Sequence, residues 1–399
     1  MKRQKLPKGV ALLFVNSLFM SIGFYALIPY LAYYITENLL LTPFIAGLVL
    51  MVRQFSQQGT TFLSGIIGDK VGYKIIISLG LLIRGMGFFL FAIFTSIPGL
   101  LTAAIVSGLG GSLFEPASKA ALSELTPLND RKRVFSIDKI IKNIGMVGAA
   151  IVGGIMIQFP FYYLCLISGG LFIAGGFLTY FLLPDVTIKT RNLSISQMFW
   201  TVIKDRYFIL FTCFMTGYWF MFIQLYLTIP IYAEELTGTP EIVSVLYFTF
   251  AAFIIFIQYP VQSIIKNNHM AVCSGMMLMG AGLLTIGVTA NIAIFFIGFL
   301  LFALGVMVAE PAIYDLTAYL SREGMASSYF GFFYFSMAIG GGLSQGIGGW
   351  LLQTGEAMGL PALLWYICGL VSLLSACGLY FLFKDYRNPH VGKGKIHSA

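Results

Sequence analysis

Apolar runs long enough to cross a lipid bilayer follow one another along nearly the whole chain, parted by short stretches of charge, proline and glycine. Roughly 20 apolar residues in a helix span the hydrocarbon, and a helix satisfies its own backbone groups there. The runs are continuous and lack the in–out alternation of an outer-membrane barrel strand. Of 399 residues, 58% are hydrophobic and 10% charged, and mean hydropathy is +0.88. A water-soluble domain of this length cannot carry that balance on its surface.

The breaks predict twelve spans: 10–35, 44–67, 75–95, 98–122, 134–158, 161–183, 207–233, 241–265, 270–290, 292–318, 325–352 and 360–384. The longest polar insertion, 184–206, lies near the midpoint, and 195–203 within it predicts a short helix on the membrane surface. The expected architecture is an all-α membrane protein. It has a six-helix bundle over 1–183, a cytoplasmic central loop over 184–206, and a second six-helix bundle with a cytoplasmic tail over 207–399.

With both termini in the cytoplasm, 19 of the 24 Lys and Arg fall in cytoplasmic segments. Arg53, Arg84, Lys119, Lys139 and Lys142 lie within spans or near their inner ends, and the outer loops hold only Glu37, Glu234, Glu235, Glu241 and Glu356. This is the positive-inside pattern. The net charge of +8 therefore decorates cytoplasmic loops and implies no nucleic-acid partner. The basic start, Lys2, Arg3, Lys5 and Lys8, precedes a run with no small-residue cleavage site, so it is expected to lead a retained first helix. Five cysteines scattered through apolar runs read as small packing residues.

The halves resemble each other. Glu115-Pro116-Ala117 in span four and Glu310-Pro311-Ala312 in span ten are 195 residues apart, and the same offset carries Gly145 onto Gly340 and Gly153-Gly154 onto Gly348-Gly349. Duplicated six-helix halves are a mark of secondary transporters.

Between spans two and three stands Gly65-Ile-Ile-Gly68-Asp69-Lys70-Val-Gly72-Tyr73-Lys74. It resembles the loop signature of the major facilitator superfamily, with Tyr73 where a basic residue is usual. Span five reads Gly145-x-x-x-Ala149-Ala150-x-x-Gly153-Gly154. That resembles the signature of the twelve-helix drug:proton antiporters, with alanines in place of its central Gly-Pro; the basic residue of that group's fourth-span signature is missing from 103–111. The run Val52-Arg53-Gln54-Phe55-x-Gln57-Gln58-Gly59, Arg84-Gly85 and both Glu-Pro-Ala motifs are similar to the MdtH-type multidrug exporters within that group. The resemblance implies the major facilitator fold and a cytoplasmic gate at Gly65, Asp69, Gly72 and Lys74, with Arg131 and Arg133 as partners for Asp69. It implies close helix packing at Gly145, Gly153 and Gly154.

Ionisable groups at bilayer depth cost at least ~2.5–3.5 kcal/mol each, so they face a cavity or a partner. Glu115 is the preferred proton carrier, with a salt bridge to Lys119 or Lys142 as its structural alternative; Glu310 follows the same logic, and Asp315 is a second candidate nearer the interface. Arg53 and Arg84 either line a cavity that takes an anionic group or bond backbone carbonyls; Lys142 is expected to pair with Glu115 or Asp138. Tyr25 and Tyr30 in span one, and Tyr218, Trp219 and Tyr226 in span seven, supply aromatic cavity walls, as the resemblance implies. Gln54, Gln57 and Gln224 add uncharged hydrogen-bonding groups. No phosphate-cradling Gly-Lys-Ser/Thr loop occurs, His269, His390 and His397 lie at the edges, and no nucleophile–base pair stands out. The expected protein is not an enzyme and needs no cofactor or metal. It is a monomeric, proton-driven exporter of amphipathic drug-like compounds in the cell's inner membrane. The alternative is an exporter dedicated to an anionic metabolite such as a carboxylate siderophore.

Overall fold

A computed structural model describes residues 8–41, 43–156, 159–185, 194–226, 228–239, 241–265, 267–288 and 290–384. The basic residues Lys2, Arg3, Lys5, Lys189, Arg191, Lys266, Arg387, Lys393 and Lys395 lie outside the described residues. Among the described residues the regular structure is all helical.

Every expected span is found as helix. Span one is α1 (Lys8–Tyr33). Span two is two helices, α2 (Pro43–Gln58) and α3 (Thr61–Val71), parted at Gly59 and Thr60. Gly72, at φ +114, is the one residue between α3 and α4 (Tyr73–Ile93), a backbone conformation that only glycine adopts at little cost. Next come α5 (Ile97–Glu124), α6 (Arg131–Met156) and α7 (Phe161–Leu182). The surface helix is α8, with the expected bounds Ile195–Ile203.

Span seven begins at α9 (Arg206–Ile223), capped where the Asp205 carboxylate accepts a hydrogen bond from Phe208 N at 3.2 Å. A short 3₁₀ turn, Gln224–Tyr226, leads on toward α10 (Thr228–Thr237). The last spans are α11 (Glu241–Ile264), α12 (Asn268–Val288), α13 (Ile292–Leu320), α14 (Ala326–Ala357) and α15 (Leu363–Lys384).

Nine stretches among the described residues are long and apolar enough to cross a membrane. The remaining expected spans are the divided α2–α3, the charged α6 and the Gly- and Ser-rich α14. Each departs from simple apolarity where it carries charges, a break or small packing residues.

The chain forms two compact units, one of residues 1–201 with 321–334, the other of 202–320 with 335–399. Each repeats the packing of the other at the 195-residue offset. In the first, Gly80 of α4 lies against α5 so closely that a Cβ there would sit 2.8 Å from Gly110 O and 2.7 Å from Phe114 N. In the second, a Cβ on Gly275 of α12 would sit 2.7 Å from Gly305 O and 2.9 Å from Ala309 N of α13. Likewise Gly145 of α6 abuts Ser21 of α1, and Gly340 of α14 abuts Thr216 of α9. No side chain fits at these crossings, so small residues set the helix spacing.

Candidate functional site

In the first unit, two guanidinium groups close on one ring. Arg53 of α2 lies 4.9 Å and Arg84 of α4 5.0 Å from the centroid of Phe24 on α1, and Arg84 is also 5.6 Å from that of Phe172 on α7. Both arginines are buried. Arg53 donates from Nη1 to Gln57 Oε1 and from Nη2 to Gln54 Oε1, each at 3.0 Å. Arg84 Nε and Nη1 have no hydrogen-bond partner among the described residues. The backbone-carbonyl role expected as one alternative is not the one seen: side-chain amides hold Arg53, and aromatic faces lie against both guanidiniums.

Glu115, half-buried on α5, is within electrostatic reach of both guanidiniums. It makes no ion pair among the described residues. The alternative partners considered for it are committed elsewhere: Lys119 Nζ meets Asp138 at 2.7 Å and Lys142 Nζ meets the same carboxylate at 3.5 Å. Ser17 of α1 donates to the other oxygen of Asp138. Asp138 is therefore a buried hub, and Lys142 pairs with it and not with Glu115. Tyr25 packs edge-on to Phe24 at 5.3 Å, and Tyr30 packs against Ala26, Ala149 and Leu164.

The loop signature folds around Asp69, which is fully buried at the end of α3. Its carboxylate accepts from Ser327 N at 2.9 Å, from Ser328 N and Ser328 Oγ at 2.6 Å each, and from Tyr73 Oη at 2.9 Å. The expected partners Arg131 and Arg133 are not among these groups; Arg131 Nε donates to Ser123 O at 2.7 Å instead. An anion at the first free N–H groups of α14 is where the helix dipole favours it. Tyr73 stands where the family usually has a basic residue, and one turn after Asp69 it supplies a neutral donor. Gly65 lies against the Ser327–Ser328 backbone, which admits no Cβ, and Lys74 reaches Asp185 at 3.9 Å on the surface. Gly153 and Gly154 continue α6 two turns beyond Gly145.

In the second unit, Glu310 is buried on α13, 3.5 Å from Tyr314 Oη and beside Tyr218 of α9. Tyr218 and Trp219 are buried and pack edge-on at 5.1 Å; Tyr226 is exposed and tilted against Tyr247 at 6.1 Å. Gln224 Oε1 accepts from Thr228 Oγ1 at 2.6 Å. Asp315 accepts from Asn268, which ties the start of α12 to α13. Arg84 and Arg53 have no charged counterpart here, because the offset places Met279 and Phe248 in their positions. Sequence reasoning missed two glutamines of α11, Gln258 and Gln262, both buried with their amides on the α13 backbone.

Buried charges held between apolar helices, on a duplicated frame, define a membrane transporter. The chain belongs to the Major Facilitator Superfamily, whose sequence profile matches residues 13–345. It is 32% identical over 394 residues to the multidrug resistance protein MdtH of Photorhabdus laumondii, covering 98% of this chain and 96% of that one. It is 30% identical over 382 residues to MdtH of Yersinia pestis, covering 95% of each. The fold matches the human organic anion transporter MFSD10 (TETRAN) with a TM-score of 0.78 at 14% identity, over 94% of this chain and all of that one (100%). It matches the Escherichia coli fucose:proton symporter FucP with a TM-score of 0.76 at 15% identity, over 94% and 98%. At those identities the likeness is one of fold.

Proposed function

We propose that this multi-pass membrane protein is a proton-coupled exporter of amphipathic drug-like compounds, working by alternating access, with both termini in the cytoplasm. The observation that carries the reading is Glu115, a carboxylate without an ion pair among the described residues, within electrostatic reach of two buried guanidiniums. The names of the relatives at about one-third identity support the substrate class. A carboxylate free of a fixed partner can take up and release a proton as its exposure changes, and a cationic or polar substrate then competes with that proton. Such competition is the thermodynamic requirement for exchange. Glu310, beside Tyr218 and Tyr314 in the second unit, is the second proton carrier, and the aromatic group around Phe24 in the first receives the apolar body of the substrate. The group around Asp69 gates the cytoplasmic side.

A second reading, an exporter of a carboxylate-bearing metabolite, is favoured by the unpartnered N–H groups of Arg84. The two readings differ in the sign of coupling. An anion would bind Arg53 and Arg84 best when Glu115 is protonated, so anion and proton would leave together, driven by the metabolite's own outward gradient and not by the inward proton gradient. A cation would displace the proton and travel against it. Purified protein in liposomes holding a pH-sensitive dye separates them. Addition of ethidium or norfloxacin to one side should move protons toward that side, and Glu115→Gln should abolish the movement while insertion is retained. Proton movement with the solute, seen only for an anionic siderophore, would establish the second reading. Full pH-driven transport by Glu115→Gln would remove Glu115 from either.

A further inference from the structure

Pro311 sits inside α13, directly after Glu310. A proline in mid-helix has no N–H to give to the carbonyl four residues back, and its ring pushes that carbonyl aside. The carbonyl left open is that of Met307.

Two side chains of the neighbouring α11 fill the gap. Gln258 Nε2 donates to Met307 O at 2.9 Å, Gln262 Nε2 donates to the same oxygen, and Gln262 also lies 3.4 Å from Val308 O. The glutamines are one helical turn apart on α11, so both amides fall on the face that packs against α13. They are 0% and 8% exposed, and their own Oε1 atoms have no hydrogen-bond partner among the described residues. Burying two unsatisfied acceptors is unfavourable, and a methionine or leucine of similar size would avoid it. What the amides supply at these positions, and an apolar side chain would not, is the pair of donors to Met307 O.

The first half carries the same Glu-Pro step without these donors. At the 195-residue offset, Gln258 and Gln262 fall on Leu63 and Ile67, which are 53% and 38% exposed. The amides are a device of the second half alone.

We propose that Gln258 and Gln262 are positioning residues: an amide clamp that makes the hydrogen bond Pro311 cannot make, fixes the kink in α13, and so holds the Glu310 carboxyl beside Tyr218 and Tyr314. The importance of the clamp for transport rests on the reading of Glu310 as a proton carrier; the clamp itself does not.

The test uses the full chain in detergent and needs no substrate. Dicyclohexylcarbodiimide labels protonated carboxyls from an apolar phase, and peptide mass spectrometry reads Glu310 and Glu115 separately. Gln258→Met and Gln262→Met keep the volume and remove the donors. Each should change the labelling rate of Glu310 by roughly threefold or more and lower the melting temperature by roughly 2–4 °C, with Glu115 unaffected. Pro311→Ala restores an N–H to Met307 O, so in that background the same substitutions should change neither quantity. Equal losses in the presence and absence of the Pro311→Ala substitution would overturn the clamp. So would parallel changes at Glu115, which would mark a general loosening. If the double Met variant does not fold, the triple variant with Pro311→Ala should; its failure to do so also overturns the clamp. Unimpaired transport by Glu310→Gln would remove the proton-carrier reading and leave the stability coupling untouched.

Discussion

Lys119 of α5 is bonded to Asp138 of α6 at 2.7 Å, although Glu115 lies one turn before it on its own helix. Both partners are almost wholly buried, with side chains 5% and 1% exposed. The pair fixes α5 to α6 and leaves the Glu115 carboxyl without an ion pair among the described residues.

Removing one member of this pair strands the other in an apolar interior. Asp138→Ala should lower stability by about 3–5 kcal/mol, read as a fall in melting temperature of the detergent-solubilised protein. The double variant Lys119→Met/Asp138→Leu should regain most of the loss, since an apolar pair replaces two desolvated charges. A double variant no better than Asp138→Ala would show that the pair is not the unit of stability.

Arg84 is a different case, because its buried Nε and Nη1 lack partners among the described residues. Methionine fills the equivalent place in the second half, at 279. Arg84→Met should therefore leave the melting temperature unchanged or raise it, while binding of a carboxylate-bearing ligand falls at least about tenfold, the loss of one charge-assisted pair. A strongly destabilised Arg84→Met, measured by thermal unfolding, would make the arginine a structural strut.

The contacts of Asp69 predict a ranking. Asp69→Ala leaves two N–H groups at the start of α14 and the Tyr73 hydroxyl without their acceptor and should cost about 2–4 kcal/mol, whereas Tyr73→Phe and Ser328→Ala should cost about 1 kcal/mol each. Arg131→Ala should cost less than Asp69→Ala, since its guanidinium holds Ser123 O and not Asp69. Thermal unfolding of the four variants checks the order, and an Arg131 variant as damaged as the Asp69 variant would contradict it.

Small-residue crossings make the fourth prediction. Gly80→Val and Gly275→Val each drive methyl groups into a facing carbonyl and should cost about 1–3 kcal/mol or more. The two losses should be similar, because the contacts repeat. Expression level and melting temperature in the membrane fraction provide the comparison.

Most of the frame was legible because apolar length alone forces helices in lipid; even α8 has its expected bounds. The break of span two at Gly59 was not anticipated, since hydropathy averages over a single glycine. Partner choice was the harder part. Glu115 and Lys119 share one helix at a spacing that favours pairing, yet the lysine bonds Asp138 of the neighbouring α6 at 2.7 Å. Tyr73 was visible as a departure from the family loop, and its spacing of four from Asp69 was the signal for the hydroxyl contact. The family resemblance implies Arg131 and Arg133 as partners of Asp69, but helix N–H groups satisfy the carboxylate at no cost in side-chain entropy. Gln258 and Gln262 carry no charge to mark them in the sequence; their signal is a pair four apart in a chain with a proline inside a neighbouring span.

The repeated glycine crossings give the molecule a built-in reference. Helices cross within each half at equivalent residues, offset by 195, while Arg84, Arg53 and Lys119 correspond at that offset to Met279, Phe248 and Tyr314. Any substitution at a crossing can thus be scored twice in one chain. A site where the two scores diverge is one where transport, and not architecture, has set the residue.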